Sequence, residues 1–442
     1  MSAFRLSVPA LFLLCVFSCL PAFALPVQSE TGYPVTELLP APDGESLVSF
    51  DWDEAGSLYL MTGDPFWGLL LKVYRDSGAG RTVLFNSDQV FPGARATVIG
   101  PYLYFNDGGD YFRWDADYYC APLAGGEPFL AYTVSGGSPS LWGVDTRDGT
   151  QFFAAGAEGY GPSAIYHMPL SGSGVLDGLV RIGVVGESSG PIAFDAAGGL
   201  YYAHGYAASI PATIYRWTAE EVAAAIANPM LAPLTPDGRE FATLPAHFTG
   251  AAGMVVDASG NVLVTANVWG EPAALLLYRV GEDGENTGMT TLASHASRLE
   301  TLRVRDGKIH VNSAEGIYSL PMPLTVKRNG PAAPQAVVGE PVTLAVRALG
   351  GAGTVNYRWH KVTADKADTV VGGNSPLLTI TPKHGDNGAV YYCVLSDNGL
   401  SGVESPRFTL TVRPAVPVSA PWALLAMALL LMLAARFRLR RV

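Results

Sequence analysis

Six short segments of this sequence stand out, most of which combine glycine, an aromatic ring and a carboxylate or amide. Residues 62–68 carry Asp64 and Trp67, 106–114 carry Asn106, Tyr111 and Trp114, and 155–162 carry Tyr160. Residues 204–209 carry His204 and Tyr206, 265–271 carry Trp269, and 312–315 complete the set. Rings cover the apolar faces of a sugar or peptide and polar groups fix its orientation, so these residues are the candidate ligand-binding set. Packing of the same rings between structural elements is the competing explanation. His204 is the candidate general base of a hydrolase or lyase, although one histidine without an identifiable partner is more often structural. Asp107 and Asp110, near Asp115 and Asp117, could hold Ca²⁺ with the help of carbonyl oxygens, and a solvated acidic loop explains them as well. No other cofactor is called for. The sequence contains no His-Glu-x-x-His and no phosphate loop.

The elements that must position these segments repeat. An Asp-x-x-Gly turn precedes an apolar strand at Asp53–Gly56, Asp195–Gly198 and Asp257–Gly260, with looser versions at Gly100, Asp148 and Asp306. Asp accepts backbone N–H groups of its own turn and Gly supplies positive φ, which is hairpin chemistry. A second motif, an apolar residue followed by Tyr, stands at Tyr74, Tyr119, Tyr166, Tyr215, Tyr278 and Tyr318. In five units the spacing from the first strand's reference residue is 14 or 15 residues, as from Tyr201 to Tyr215 or from Tyr59 to Tyr74. The candidate loops lie between the two motifs, and a common phase brings such loops to one face.

A period near fifty residues with several short strands per unit is the pattern of β-propeller blades. The repeat resembles the broad class of NHL-type and lactonase-like propellers, which implies an all-β, six-bladed propeller over residues 30–322. A seventh blade that includes residues 27–44 is the alternative. The fourth unit is longer, because Thr218-Ala-Glu-Glu221 is a capping box that opens a short Ala-rich helix to Ala227.

Residues 323–413 change character. Val342–Val346 reads as a strand, Tyr357-Arg-Trp359 as a second, and Tyr391-Tyr-Cys393 as a third after Asp386-Asn-Gly388. This resembles the immunoglobulin-like sandwich, which implies that Trp359 packs on Cys393 beneath a tyrosine corner at Tyr391. Val346 stands where that fold often has a second cysteine, so apolar packing should close the core and Cys393 should be an inert thiol. Cys120 is expected to be a lone thiol too.

The two ends read as addresses. Residues 1–24 combine Arg5, an apolar run and small residues at Ala22 and Ala24, the pattern of a cleaved signal peptide. Residues 414–442 hold an uncharged apolar stretch from Trp422 to Ala435, followed by Arg436, Arg438, Arg440 and Arg441, the pattern of a C-terminal transmembrane helix with its basic end on the cytoplasmic side. With Val416, Pro417 and Trp422 before it, this tail resembles the C-terminal sorting signals of exosortase systems, of the Ile-Pro-Thr-Leu type. The resemblance implies a processing enzyme of that kind as a partner and passage to the cell surface. A formal charge of −11 with 15% charged residues argues against nucleic acid, which requires a basic face. The expectation is an exported, envelope-anchored or surface-sorted, non-enzymatic protein whose propeller binds a polysaccharide or a protein. A propeller hydrolase or lyase using metal or His204 is the rival.

Overall fold

The computed structural model describes residues 27–63, 71–78, 80–87, 95–106, 117–133, 140–157, 162–207, 211–268, 272–414 and 426–432. The chain divides into two compact units. The first is residues 1–323 with 350–352 and 398–400, and the second is the remainder.

In the first unit the repeat is a sheet of four antiparallel strands. Among the described residues there are six such sheets, beginning at Ser46–Trp52, Ala96–Ile99, Ser140–Asp145, Ile192–Phe194, Gly250–Val256 and Leu302–Arg305. The fourth strand of the sixth sheet comes from the other end of the chain: Thr36–Pro40 pairs with Gly316–Pro321. Gln28–Ser29 adds a fifth strand to the fifth sheet. The first Asp-x-x-Gly motif joins first to second strands as expected. Ser57, Gly199 and Asn261 donate their N–H groups to Oδ1 of Asp53, Asp195 and Asp257 at 2.8, 2.8 and 2.9 Å. Gly56, Gly198 and Gly260 have φ of 93°, 90° and 85°, a region open to Gly and strained for other residues.

The second motif lies on the third strand of every sheet, and the structure gives its reason. In five of the six sheets the register against the fourth strand slips between the apolar residue and the Tyr, as at Val73/Tyr74, Ile165/Tyr166 and Ile214/Tyr215. An extra residue there raises the local twist of the sheet edge.

Alternation along the second strands shows how the sheets meet. Tyr59 faces the second sheet while Leu60 faces the sixth; Tyr201 packs on the fifth while Tyr202 packs on the third. Among the described residues six apolar clusters result, each shared by two consecutive sheets, and the last joins Ile317 of the sixth to Phe50 and Tyr74 of the first. A strand covered on both faces must be apolar at every position, which explains Leu58-Tyr-Leu-Met61 and Leu200-Tyr-Tyr-Ala203. The sheets therefore follow one another around a closed ring, an all-β, propeller-like fold. Helix α1 (Ala219–Ala227) sits between the third and fourth strands of the fourth sheet, with Thr218 and Glu221 forming the expected reciprocal cap.

The second unit is also β. Thr325–Arg328, Val342–Leu349 and Leu377–Ile380 form one antiparallel sheet; Asp368–Val371, Asn356–Val362, Val390–Ser396 and Val403–Glu404 form another. Trp359 is fully buried in register with Cys393, and its indole donates to the Ser375 carbonyl at 2.9 Å. Cys120 and Cys393 are both buried free thiols. Burial, the first cause in each case, pushes them up to about 12 and about 11, far from the reactive thiolate range.

Residues 426–432 are helical and exposed. Among the described residues no helix is long and apolar enough to cross a membrane. The signal segment, the sorting motif at Val416, Pro417 and Trp422, and the arginine tail lie outside the described residues.

Candidate functional site

The expected loops do connect second to third strands in all six sheets. Most of their candidate residues (Asp64, Trp67, Asp107, Asp110, Tyr111, Trp114, Tyr160 and Trp269) lie outside the described residues. Asn106, His204 and Tyr206 are described, and the first two correct the sequence reading.

Asn106 ends the second strand of the second sheet and is fully buried. Its Oδ1 accepts the Arg95 N–H, and its Nδ2 donates to the Leu141 carbonyl of the third sheet. Asn312 repeats this arrangement in the sixth sheet: Oδ1 accepts from Thr301 N–H at 2.8 Å and Nδ2 donates to Leu47 O at 3.2 Å. Asn267 does related work in the fifth, exchanging both bonds with the Leu299 backbone at 3.0 and 2.8 Å. Where strands converge on the axis, neighbouring backbones leave donors and acceptors that neither sheet satisfies, and an amide bridges them. Asn106 is thus a clamp between sheets, fully buried with each end of its amide bonded to backbone.

His204 follows the second strand of the fourth sheet and is only 5% exposed. Its Nδ1 accepts the Thr213 N–H at 3.4 Å, and the ring meets Tyr202 and Tyr215 edge-on. Burial lowers its pKa against the opposing pull of Glu187. A ring so enclosed is a structural side chain, and the general-base expectation for it is withdrawn. Tyr206, by contrast, is 57% exposed on the same loop and remains available to a ligand. Asp117 is partly buried, and Asp107, Asp110 and Asp115 lie outside the described residues; among those described, no group of three potential metal ligands occurs.

Sequence reasoning missed charged residues on and beside the first strands, which contact one another around the ring. The hairpin turn that follows the first strand is held by Asp53 and not by Asp51. Asp51 instead pairs with Arg303 of the sixth sheet, Nε to Oδ1 at 3.0 Å and Nη2 to Oδ2 at 3.1 Å, and also accepts the Val98 N–H at 2.9 Å. Arg303 donates further to Ala96 O and Thr97 Oγ1. Nearer the candidate loops, Glu300 holds Arg95 at 2.9 Å and Arg298 at 2.7 Å. Arg95 and Glu300 begin the second and sixth sheets, so this pair passes over the first. The available signal was alternation: Asp51/Asp53 and Arg303/Arg305 place charge every second residue on strands that lie innermost.

His295 lies between Ser297 and Glu315. Its Nδ1 is 3.1 Å from Ser297 Oγ and accepts the Ser297 N–H at 3.2 Å, while Nε2 is 3.5 Å from Glu315 Oε2. The nitrogen facing the hydroxyl is already the acceptor of a backbone N–H, which fixes the tautomer and makes this a turn rather than a nucleophile with its base.

No family model matches the chain, and no curated protein matches it. Among solved structures it is similar to a prolyl endopeptidase at 10% identity and a TM-score of 0.38, over 81% of this chain and 48% of that one. It is similar to an ancestral GH74 enzyme at 8% identity and 0.42, over 63% and 42%. It is also similar to a putative 6-phosphogluconolactonase from Bacteroides uniformis at 8% and 0.40, over 75% and 88%. The chain thus spans about half the length of the prolyl endopeptidase. Likenesses at this level name no family.

Proposed function

We propose that the first unit is a six-bladed propeller that serves as a rigid platform for binding a polysaccharide or a protein partner, without catalysis. The observation that supports this is the clamping of the loop roots. Asn106, Asn267 and Asn312 tie second-strand ends to neighbouring backbone, so loops leaving those ends start from fixed positions. Those loops and their neighbours carry Trp67, Tyr111, Trp114, Tyr160, Tyr206 and Trp269. Rings on fixed roots lose little conformational freedom when a ligand docks, which favours affinity. The rival reading, a hydrolase or lyase, gains no base from His204.

The rest of the proposal comes from sequence. Export rests on residues 1–24, an immunoglobulin-like spacer on the Trp359, Tyr391 and Cys393 pattern, and envelope anchoring or surface sorting on residues 414–442.

The full chain, solubilised in detergent, should retain on immobilised surface polysaccharide or envelope protein of the producing cells. The triple variant Trp67→Ala, Trp114→Ala, Trp269→Ala should weaken that binding by roughly tenfold or more, since each ring contributes on the order of 1 kcal/mol. Equal binding by the variant, or turnover of a lactone or glycan by the wild type, would overturn the reading.

A further inference from the structure

The most exposed apolar side chains of the ring belong neither to the candidate loops nor to the core. Among the described residues Met230 and Leu231 are 88% and 83% exposed, more than any other large apolar side chain, those of the tail helix included. They stand at the apex of the turn that leaves helix α1. From Val222 to Pro236 the chain carries no charge. The outer face of α1 ahead of the turn shows Ala223, Ala224 and Ala227, where a surface helix ordinarily carries charged residues. Scattered exposed apolar residues require no explanation, but an adjacent pair held at an apex does.

The turn is pinned at both ends. The Asn228 N–H donates to Ala224 O at 2.9 Å, and the Asn228 carbonyl accepts the Leu231 and Ala232 N–H groups at 3.2 and 3.0 Å. Leu234 is fixed to the outer strand of the third sheet: its N–H donates to Ile182 O at 2.8 Å and its carbonyl accepts the Val184 N–H at 3.1 Å. The Trp217 indole donates to Thr235 O at 2.9 Å. Pro229 and Pro233 have no N–H and restrict the backbone further. The apex therefore presents apolar side chains on a backbone whose donors at Leu231, Ala232 and Leu234 are satisfied internally, the condition for entering a medium that offers no hydrogen-bond partners.

We propose that this turn is a lipid-contacting tip: Met230 and Leu231 enter the boundary between headgroups and acyl chains of a zwitterionic bilayer. Size and charge argue for lipid over a protein partner. A stable protein interface covers about 800 Å² on each side, more than a two-residue apex offers, whereas a bilayer takes such side chains by depth. Of the flanking charges, Glu221 and Arg239 pair with each other, and Glu220, Asp237 and Glu240 would be repelled by an anionic surface. Two side chains hold a free protein to lipid only weakly, so the tip acts by orienting a chain that is already tethered. In this the inference rests on the anchoring part of the proposed function.

Methionine oxidation by hydrogen peroxide reads the tip directly. The ring carries its own reference in Met289, 43% exposed on the fifth sheet, and the tail carries Met427 and Met432. The full chain is reconstituted through its tail into phosphatidylcholine vesicles, beside the variant Leu231→Glu. Since several buried methylenes favour the inserted state, Met230 should oxidise roughly fivefold or more slowly in the wild type than in the variant, with Met289 equal in both. Equal oxidation of Met230 in the two proteins, with Met427 and Met432 protected, overturns the tip and leaves the anchor standing. Rapid oxidation of Met427 and Met432 in the vesicles removes the anchor, and the tip falls with it. A further measurement requires no variant: protection of Met230 should be unchanged when the lipid-to-protein ratio is raised. Protection lost on that dilution would assign the patch to a second copy of the chain and overturn the proposal.

Discussion

The two units close their cores by different means. In the ring, apolar clusters fill the space between sheets, and the inner ends are joined by polar side chains that bond to backbone: Asn106, Asn267, Asn312, and the Asp51–Arg303 pair. In the second unit the centre is one large ring, Trp359, with Cys393, Leu344, Val346 and Leu378 buried as well. The difference follows from geometry. Sheets that radiate from an axis bring their inner strands' backbones close together, and backbone polar groups out of water require partners. Sheets of an ordinary β unit satisfy their backbones internally and require only shape-matched apolar filling between them.

This contrast predicts where each unit breaks. Trp359→Ala should have the largest effect, about 3–5 kcal/mol, because it removes a fully buried indole and the bond to Ser375 O. The loss should appear in the unfolding transition of the second unit, followed by near-ultraviolet circular dichroism, with the ring's transition unmoved. A shift of both transitions would mean that the two cores are not independent. The apolar character of the second centre is sharpened by Val346→Cys. If the immunoglobulin-like reading is right, oxidation joins it to Cys393, intact mass falls by two hydrogens and the unit gains about 2–4 kcal/mol. A persistent free thiol at both positions would count against that reading.

The ring's side of the comparison is tested by Asn312→Ala. It leaves the Thr301 N–H and the Leu47 carbonyl buried without their partner, a cost of about 2–3 kcal/mol by denaturant unfolding. Asn106→Ala should behave alike if Asn106 is a clamp. If instead it left stability unchanged and weakened ligand binding, the residue would return to the candidate site.

How much of this was legible in the sequence depended on range. The Asp53, Asp195 and Asp257 turns and the Thr218 cap were readable because each is completed within four residues. The apolar–Tyr motif was visible as a repeat, but its cause was not, since a register slip is a relation between two strands. The Asp51–Arg303 pair joins residues 252 positions apart and exists only once the ring is closed. Asn106 was misread because an amide at a loop root looks the same whether it faces a ligand or a neighbouring backbone. His204 was misread for the same reason, its burial being a property of Tyr202 and Tyr215 around it.

The smallest expected effect concerns α1, where local and tertiary forces can be separated. Thr218 Oγ1 accepts the Glu221 N–H at 3.3 Å, and Glu221 Oε2 accepts the Thr218 N–H at 2.8 Å. Thr218→Ala removes the first bond and the hydroxyl's donation to Glu221 Oε2 at 3.1 Å and keeps the second, so the loss should be near the low end of the cap range, about 0.5–1 kcal/mol, read by amide exchange within the helix. Burial alone would raise the Glu221 carboxyl, but the bonds from Thr218 and the Arg239 pair outweigh it and hold the group below its usual range. Its share of the cap is therefore present at neutral pH and lost as pH falls through that lowered value. Wild-type protection of the helix should decline there, and the Thr218→Ala variant, which depends on Glu221 alone, should decline proportionally more. If neither changes, the burial of Val222 and Ala225 against Trp217 and Leu234 holds the helix without its cap.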